Sequence, residues 1–298
     1  EGGIFRMLLI DMVFIFLFSF FLNGLLKRVA PFIGAVDQPN ERRMNVEAVP
    51  NIGGVSIYLS LLFAYYMFDT ELVKNLILGA TIIMIVGIVD DMFDLKPKYK
   101  FLGQIAAANV AYLSGLQFEY QPVLSYFVIV FWFLIVMNAL NFIDGIDGLS
   151  SGVSLIIIFM FGLTNSTFFT ISMLIVVSII GFMLHNGSAK KIYLGDNGSM
   201  LLGYIIAFFL GYEYFRESLY FYPVPFIFVF IILYDLVFVV MDREIRGVKF
   251  WKPEKNHLHH RILRKGYNQK QTLLIIYMMV FITCLVAIFL ADKITKYI

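Results

Sequence analysis

The sequence predicts an all-α integral membrane protein, a bundle of about ten transmembrane helices. Hydrophobic residues make up 60% of its 298 residues and charged residues only 15%, and the mean hydropathy is +0.82. A soluble domain is about half apolar and a quarter charged. The charged residues here cluster between long apolar runs, and a helix needs about 20 apolar residues to cross a bilayer core. The composition therefore excludes a water-soluble domain, which could not solvate this much apolar surface.

Ten apolar segments correspond to the predicted transmembrane helices. Asn165-Ser166 predicts a turn between the sixth and seventh segments, which separates two helices rather than leaving one long helix. Residues 1–298 are interpreted as one polytopic domain, with inner loops at about 27–51, 90–100, 141–148, 185–197 and 242–272. The ten segments are 7–26, 52–68, 72–89, 101–116, 123–140, 149–164, 168–184, 198–215, 222–241 and 273–291.

The distribution of Lys and Arg predicts the orientation of the bundle. If the loop 27–51 is cytoplasmic, 18 of the 23 Lys and Arg residues lie on the inner side and five on the outer side. Because cytoplasmic loops carry an excess of Lys and Arg, this split predicts that both termini lie outside. The inner loops also contain all four histidines and most of the unusual polar residues, so the active site is expected on the cytoplasmic face.

A first acidic cluster, Asp90, Asp91 and Asp94, ends the third apolar segment. On a continuing helix, Asp91 and Asp94 would share a face. Unpaired carboxylates at the hydrocarbon boundary are costly, so a bound cation or a proton is expected to accompany them. The alternative is simple helix termination beside Lys96 and Lys98.

A second cluster follows the fifth segment. Asp144 and Asp147 would share a helix face if their segment is helical, and Asn138 and Asn141 would extend that face upstream. Carboxylate and amide oxygens are hard ligands that suit Mg²⁺ or Mn²⁺ better than zinc. The alternative is an asparagine-capped turn.

A third polar motif opens the eighth segment, where Asp196 follows Gly195. Backbone N–H groups at such a helix start attract phosphate oxygens, and the carboxylate could hold a metal beside them. Since Asp and Asn are common helix caps, this signal is weak without the other clusters.

The fourth motif, His257-Leu258-His259-His260-Arg261, lies in the longest inner loop among nine cations. The sequence contains no His-Glu-x-x-His, which disfavours an intramembrane zinc protease. Binding a diphosphate through His and Arg fits the local positive charge. The alternative is a basic loop that lies on anionic lipid.

Taken in order along the chain, these motifs resemble those of the polyprenyl-phosphate N-acetylhexosamine-1-phosphate transferases. The resemblance covers residues 37 to 265, and the histidine motif is similar to the branch that uses UDP-N-acetylglucosamine (UDP-GlcNAc). Two positions depart from the family pattern: Asn45 stands where a histidine often follows the basic pair, and Ala189-Lys190 replaces a usual Pro-Ala. Besides the histidine motif, the matching residues are Asp37-x-Pro39-Asn40-x-Arg42, Pro50-x-x-Gly53-Gly54, Asp90-Asp91-x-x-Asp94-Leu95, Asn138-x-x-Asn141-x-x-Asp144-Gly145-x-Asp147-Gly148-Leu149 and Gly195-Asp196-Asn197-Gly198-Ser199.

The resemblance implies a reaction and a role for each matched residue. UDP-GlcNAc and undecaprenyl phosphate would give undecaprenyl-diphospho-GlcNAc and UMP, the first membrane step of a cell-envelope polysaccharide such as cell wall polymer or lipopolysaccharide. The implied cofactor is Mg²⁺, with Mn²⁺ as a substitute. The implied roles are metal binding for Asp196 and Asn141, orientation or deprotonation of the lipid phosphate for Asp90 with Asp91 as support, the nucleotide-sugar site for Asp144, Asp147, Asn186 and Tyr193, and the diphosphate and sugar site for Arg42, His257, His259, His260 and Arg261.

The expected partners are UDP-GlcNAc, undecaprenyl phosphate and the lipid bilayer, with no nucleic acid polymer, and the expected location is the bacterial cytoplasmic membrane. The resemblance makes a homodimer plausible. The alternatives are another UDP-N-acetylhexosamine as donor, a proton-coupled transporter, and a scaffold for other envelope enzymes. A transporter would place its binding residues near the bilayer midplane, whereas the motifs gather at one face. Asp11 and Asp235, inside apolar segments, are interpreted as polar contacts within the bundle.

Overall fold

The computed structural model describes residues 2–38, 48–68, 71–118, 121–189, 191–217, 223–247 and 256–297. Within these ranges the chain is almost entirely helical, apart from a short 3-10 helix (Ala30–Ile33) and a two-stranded antiparallel pair, β1 (Val36–Asp37) and β2 (Val49–Pro50). The helices are α1 (Gly2–Val29), α2 (Gly54–Phe68), α3 (Glu71–Phe93), α4 (Pro97–Leu113), α5 (Pro122–Ile143), α6 (Leu149–Thr164), α7 (Ser166–Asn186), α8 (Gly195–Glu217), α9 (Pro223–Phe228), α10 (Phe230–Ile245), α11 (Leu258–Arg264) and α12 (Gln269–Tyr297).

Six of the described helices are long and apolar enough to cross a membrane: α1, α3, α5, α7, α8 and α12. Two shorter apolar helices, Gly54–Tyr66 and Leu149–Thr164, accompany them. The protein is therefore a multi-pass helical membrane protein, while the count of ten spans and the orientation stay predictions. Nine of the ten predicted segments fall on a single helix each. The ninth, 222–241, differs: Val229 has φ −100 and ψ 13, outside the helical region, and divides it into α9 and α10.

The helix α8 forms the centre of the bundle. In its most apolar stretch, 89% of the residues are buried, and it packs against α2, α3, α5 and α6. A side chain on Gly87 of α3 would collide with the backbone of Asn197, so this glycine allows α3 and the start of α8 to approach closely. The helices α1 and α12 are peripheral, because only 17% and 22% of the residues in their most apolar stretches are buried. Their exposed apolar side chains face outward, as in a lipid-facing helix.

Two local expectations from the sequence were wrong. The helix α3 ends at Phe93, and Asp94 has a left-handed backbone (φ 49) and an exposed side chain, so Asp91 and Asp94 do not share a helix face. The residues between α5 and α6 form a turn rather than a helix, and therefore Asp144 and Asp147 do not share a helix face either. Gly148 closes this turn with φ 85, a conformation that glycine adopts without strain.

The polar motifs meet at one end of the bundle. Side-chain contacts connect the end of α3 with the starts of α4 and α8, and the end of α5 with the start of α8. The β2 strand reaches the same place, because the Tyr193 N–H donates to the Pro50 carbonyl at 2.8 Å and the Gly53 N–H donates to the Tyr193 carbonyl at 2.9 Å. Loops that are remote in sequence are thus joined by backbone hydrogen bonds next to the start of α8.

Candidate active site

Two carboxylates from different helices share one ammonium group at the centre of the site. Lys100, in the first turn of α4, lies 2.8 Å from Asp90 Oδ2 and also pairs with Asp196 Oδ2. Burial alone would lower the pKa of Lys100, but the carboxylates of Asp196 and Asp90 outweigh it and raise its pKa. With both carboxylates ionised, these three groups, which we call the acidic triad, have a net negative charge.

Asp91 holds the start of α8. Its Oδ1 accepts hydrogen bonds from the Asp196 N–H at 3.0 Å and from Asn51 Nδ2 at 2.8 Å. Its Oδ2 accepts from the Asn197 N–H at 2.9 Å and from Asn197 Nδ2 at 2.6 Å. The first N–H groups of a helix have no partner within the helix, and a carboxylate at this position also interacts favourably with the helix dipole. Asp91 therefore positions Asp196, whereas its expected role as a support for Asp90 stays a prediction.

The two asparagines of α5 have different partners. Asn141 Nδ2 donates to Asp196 Oδ1 and to Ser199 Oγ, both at 2.9 Å, which places Asn141 beside the acidic triad. Asn138 lies one turn deeper and exchanges hydrogen bonds with Gln104, at 2.8 and 3.3 Å. Asn141 is therefore part of the site, while Asn138 joins α5 to α4.

An open cleft of about 700 Å³ lies beside the turn 144–148, where the nucleotide-sugar residues were predicted. On one wall, Asp147 forms an ion pair with Lys191 at 2.8 Å. Partial burial alone would lower the pKa of Lys191, but Asp147 raises it. Asn186, also on this wall, is buried and donates to the Ile192 carbonyl at 2.9 Å. The opposite wall comes from the start of α12, with Asn268, Gln269, Lys270 and Leu273.

Tyr193 lies next to this cleft. The Lys191 ammonium is 5.2 Å from the centre of the Tyr193 ring, and the ring is half-buried. The backbone of Tyr193 is held by Pro50 and Gly53. An aromatic ring of this kind can stack against a flat group.

The histidine motif is anchored by a carboxylate within α10. Asp235 is fully buried, and its Oδ2 lies 2.8 Å from His257 Nδ1. Its Oδ1 accepts the Leu258 N–H at 2.5 Å and lies 3.6 Å from an Arg261 nitrogen. The Arg261 guanidinium also covers the Phe238 ring at 3.6 Å. From the sequence, Asp235 was expected only to make a polar contact within the bundle.

The three histidines of the motif lie side by side. The rings of His257 and His259 are parallel with centres 5.9 Å apart, and the His259 and His260 ring centres are 4.1 Å apart. His259 is only 1% exposed and packs against Gly145, where a side chain would collide with its ring. The motif is thus next to the turn 144–148, where the Asp144 side chain interacts electrostatically with Asp196, Asp91 and Asp147.

The donor atoms at the site determine whether it could hold a divalent cation. Among the described residues, no group of three or more His, Cys, Asp and Glu side chains is arranged to hold a metal ion. Asp90 and Asp196 nevertheless direct two carboxylate oxygens at one point, where they bind the Lys100 ammonium. Hard oxygen donors with excess negative charge fit Mg²⁺ or Mn²⁺, provided that the Lys100 ammonium moves aside. Asn141 would then have to turn its amide oxygen toward the cation.

The structure adds three polar residues that the sequence analysis did not assign to the site: Asn51, Lys100 and Asp235. Lys100 follows two similar residues, Lys96 and Lys98. The sequence feature that could have assigned Lys100 to the site was its spacing after Asp90 and Asp91. Arg42, which was assigned to the diphosphate site, lies outside the described residues. The remaining predicted residues lie around the acidic triad, the cleft and the histidine motif.

Comparison with known proteins identifies the family. Residues 73–212 match the family described as glycosyl transferase family 4. The chain is 31% identical over 290 residues to a Bacillus subtilis protein described as a probable undecaprenyl-phosphate N-acetylglucosaminyl 1-phosphate transferase, covering 90% of this chain and 81% of that one. It is 30% identical over 312 residues to the Mycobacterium tuberculosis decaprenyl-phosphate N-acetylglucosaminephosphotransferase, covering 88% and 77%. It is 29% identical over 292 residues to the Escherichia coli undecaprenyl-phosphate alpha-N-acetylglucosaminyl 1-phosphate transferase, covering 89% and 79%. The chain therefore belongs to glycosyl transferase family 4 and is a membrane-bound sugar-phosphate transferase.

Proposed function

We propose that this protein transfers GlcNAc-1-phosphate from UDP-GlcNAc to undecaprenyl phosphate, which gives undecaprenyl-diphospho-GlcNAc and UMP. The names of the bacterial relatives support N-acetylglucosamine as the sugar and a polyprenyl phosphate as the acceptor. The observation that carries the proposal is the acidic triad, in which Asp90 and Asp196 face the Lys100 ammonium.

The reaction brings together two anions. A phosphate oxygen of the acceptor forms a new bond to the sugar-linked phosphorus, and the bond from that phosphorus to the bridging oxygen of the donor diphosphate breaks. UMP leaves with that oxygen and the electron pair. A Mg²⁺ or Mn²⁺ ion held by Asp196 and Asn141 would screen the phosphate charges. Lys100, displaced from the two carboxylates by the cation, would contribute positive charge next to it, and Asp90 would orient the acceptor phosphate or take its proton.

The donor is proposed to lie in the cleft. Asp147, Asn186 and Tyr193 would contact the uridine, and Lys191 would face its phosphates. The histidine motif, on the other side of the turn 144–148, would hold the diphosphate and the sugar. This arrangement puts the scissile bond between the cleft and the acidic triad.

The membrane arrangement is part of the proposal. Ten helices would cross the bacterial cytoplasmic membrane, with both termini outside and the site facing the cytoplasm, where UDP-sugars are made. The excess of Lys and Arg in the inner loops supports this orientation. A transporter would be expected to bind its substrate near the midplane, whereas the acidic triad lies at the ends of α3, α4 and α8.

The test is an assay of the purified protein in nanodiscs with radiolabelled UDP-GlcNAc and undecaprenyl phosphate, with and without Mg²⁺. We expect the formation of a lipid-linked product together with UMP, and both should depend on a divalent cation. Parallel assays with UDP-N-acetylgalactosamine determine the preferred donor. The absence of lipid-linked product with every divalent cation and both donors would refute the proposal.

A further inference from the structure

The buried carboxylate of Asp235 has more partners than a polar contact within a bundle requires. It lies in α10, in a segment whose apolar residues include Ile231 and Ile232, and its exposure is 0%. A buried carboxylate is costly unless it is paired and hydrogen-bonded. All of its recorded partners come from one short stretch that begins 22 residues later, at His257.

The three contacts fall on the first turn of α11. His257 is the residue that precedes the helix, Leu258 is its first residue, and Arg261 lies one turn further on. Asp235 therefore accepts a backbone N–H that has no partner within the helix, and its charge faces the positive end of the helix dipole. A helix of seven residues is not stable alone. The carboxylate thus provides a fixed starting point for the histidine motif.

The same carboxylate selects one tautomer of His257. Asp235 Oδ2 can only accept a hydrogen bond, so Nδ1 must carry the hydrogen. The other nitrogen, Nε2, is then left to interact with a substrate.

We infer that Asp235 is a positioning residue for sugar-phosphate transfer, which orients His257 Nε2 toward the donor diphosphate. This inference rests on the proposed function, because His257 and Arg261 are assigned to the diphosphate through it. Asp235 itself does not touch the substrate. Its effect on catalysis passes through His257.

The direct test is ¹⁵N NMR of histidine-labelled protein in nanodiscs, which distinguishes the two tautomers without any activity. The protein has four histidines, and the His257→Gln variant identifies the His257 signals by their loss. We expect Nδ1–H in the wild type and a shift to Nε2–H in Asp235→Asn, whose amide N–H₂ can donate to Nδ1. An Nε2–H tautomer of His257 in the wild type would overturn the inference, whether or not the Asp235→Asn variant folds.

The kinetic test is a double-mutant cycle. We expect Asp235→Asn to lower kcat by roughly 10²-fold, with the KM for UDP-GlcNAc unchanged within about threefold. In the His257→Gln background, the same substitution should have no further effect, since its target is gone. Additive losses would overturn the inference.

Asp11→Asn is the matched control, because Asp11 is another aspartate inside an apolar helix, α1, and we expect it to keep wild-type kcat. Failure of the proposed function is distinguishable from failure of this inference. A wild type without transfer activity refutes the function, whereas the tautomer measurement remains informative about Asp235.

Discussion

Two helices of this protein begin against a carboxylate that comes from elsewhere in the chain. Asp91 accepts the N–H groups of Asp196 and Asn197 at the start of α8, and Asp235 accepts the N–H of Leu258 at the start of α11. The helix α8 has 23 residues and lies at the centre of the bundle, whereas α11 has seven. Because a helix of seven residues gains little from its own hydrogen bonds, the carboxylate at its start contributes proportionally more to α11 than Asp91 contributes to α8.

The charge balance of the two regions also differs. In the acidic triad, Asp90 and Asp196 share the single Lys100 ammonium, which leaves an excess of negative charge. Asp235 faces Arg261 and His257, which can balance it fully. The first region is therefore suited to a cation, and the second presents donors to an anion. We expect substitutions in the first region to change the metal dependence of transfer. Substitutions in the second region should change the orientation and the local folding of the histidine motif.

The largest effect is expected from Asp196→Asn, which should reduce transfer below detection. The amide is nearly isosteric, but it is a poorer ligand for Mg²⁺ and leaves the phosphate charge unscreened. Transfer assays over a range of Mg²⁺ concentrations, together with the melting temperature, check this. The matched control is Asp94→Asn, since Asp94 is exposed and Asn tolerates its left-handed backbone. Near-normal activity of Asp196→Asn at limiting Mg²⁺ would show that Asp196 is not a metal ligand.

The next largest effect is expected from Asp90→Asn, which should lower kcat by about 10²–10⁴-fold, the usual range for an acid–base group. Affinity for UDP-GlcNAc should persist, because the cleft at Asp147 and Asn186 is formed by other loops. Calorimetry and kcat on the same preparation separate the two quantities. Equal losses in both, or a lowered melting temperature with normal kcat, would remove Asp90 from the mechanism.

A smaller effect, on stability, is expected from Asp91→Asn. The Asp91 carboxylate accepts four hydrogen bonds on its two oxygens, and an amide would direct N–H₂ at donors that are left without an acceptor. Leaving buried donors unpaired costs about 1–3 kcal/mol. Thermal unfolding in detergent checks this, with Asp94→Asn again as the control. An unchanged melting temperature would mean that the start of α8 does not need Asp91.

The smallest effect concerns the pH dependence of stability at the histidine motif. Burial, followed by the nearby His260 and His257, lowers the pKa of His259 to about 3. Since the unfolded pKa is about 6.5, the unfolded state binds this proton first, and stability falls as the pH drops from about 6.5 toward 3. At about pH 5 the loss is at most about 2 kcal/mol.

Melting temperatures of the wild type and His259→Gln at about pH 7.5 and pH 5 measure this contribution. The variant should lose less stability on acidification than the wild type does, because glutamine has no proton to bind. The same fall in melting temperature in both proteins would show that His259 is not responsible.

Much of the candidate site could be predicted from the sequence, because Asp90, Asp91, Asn141 and Asp196 stand at the ends of apolar segments. Successive membrane helices alternate in direction, so every second segment end lies on the same face of the bilayer. The expected sharing of a face by Asp91 and Asp94 failed, because it required α3 to continue beyond Phe93. A shared helix face for Asp144 and Asp147 likewise required residues 144–148 to be helical. They form a turn instead, which Gly148 permits with its φ of 85.

By itself, the sequence determined the helical membrane class, the approximate positions of the helices and the collection of acids and histidines at the segment ends. These follow from hydropathy and from spacing along the chain, which are local properties. Only the tertiary structure distinguished Lys100 from Lys96 and Lys98, because packing of α4 against α3 places one of three similar side chains between Asp90 and Asp196. Only the tertiary structure joined Asp235 to His257, since a contact across 22 residues depends on how the chain folds back and not on any period of its sequence.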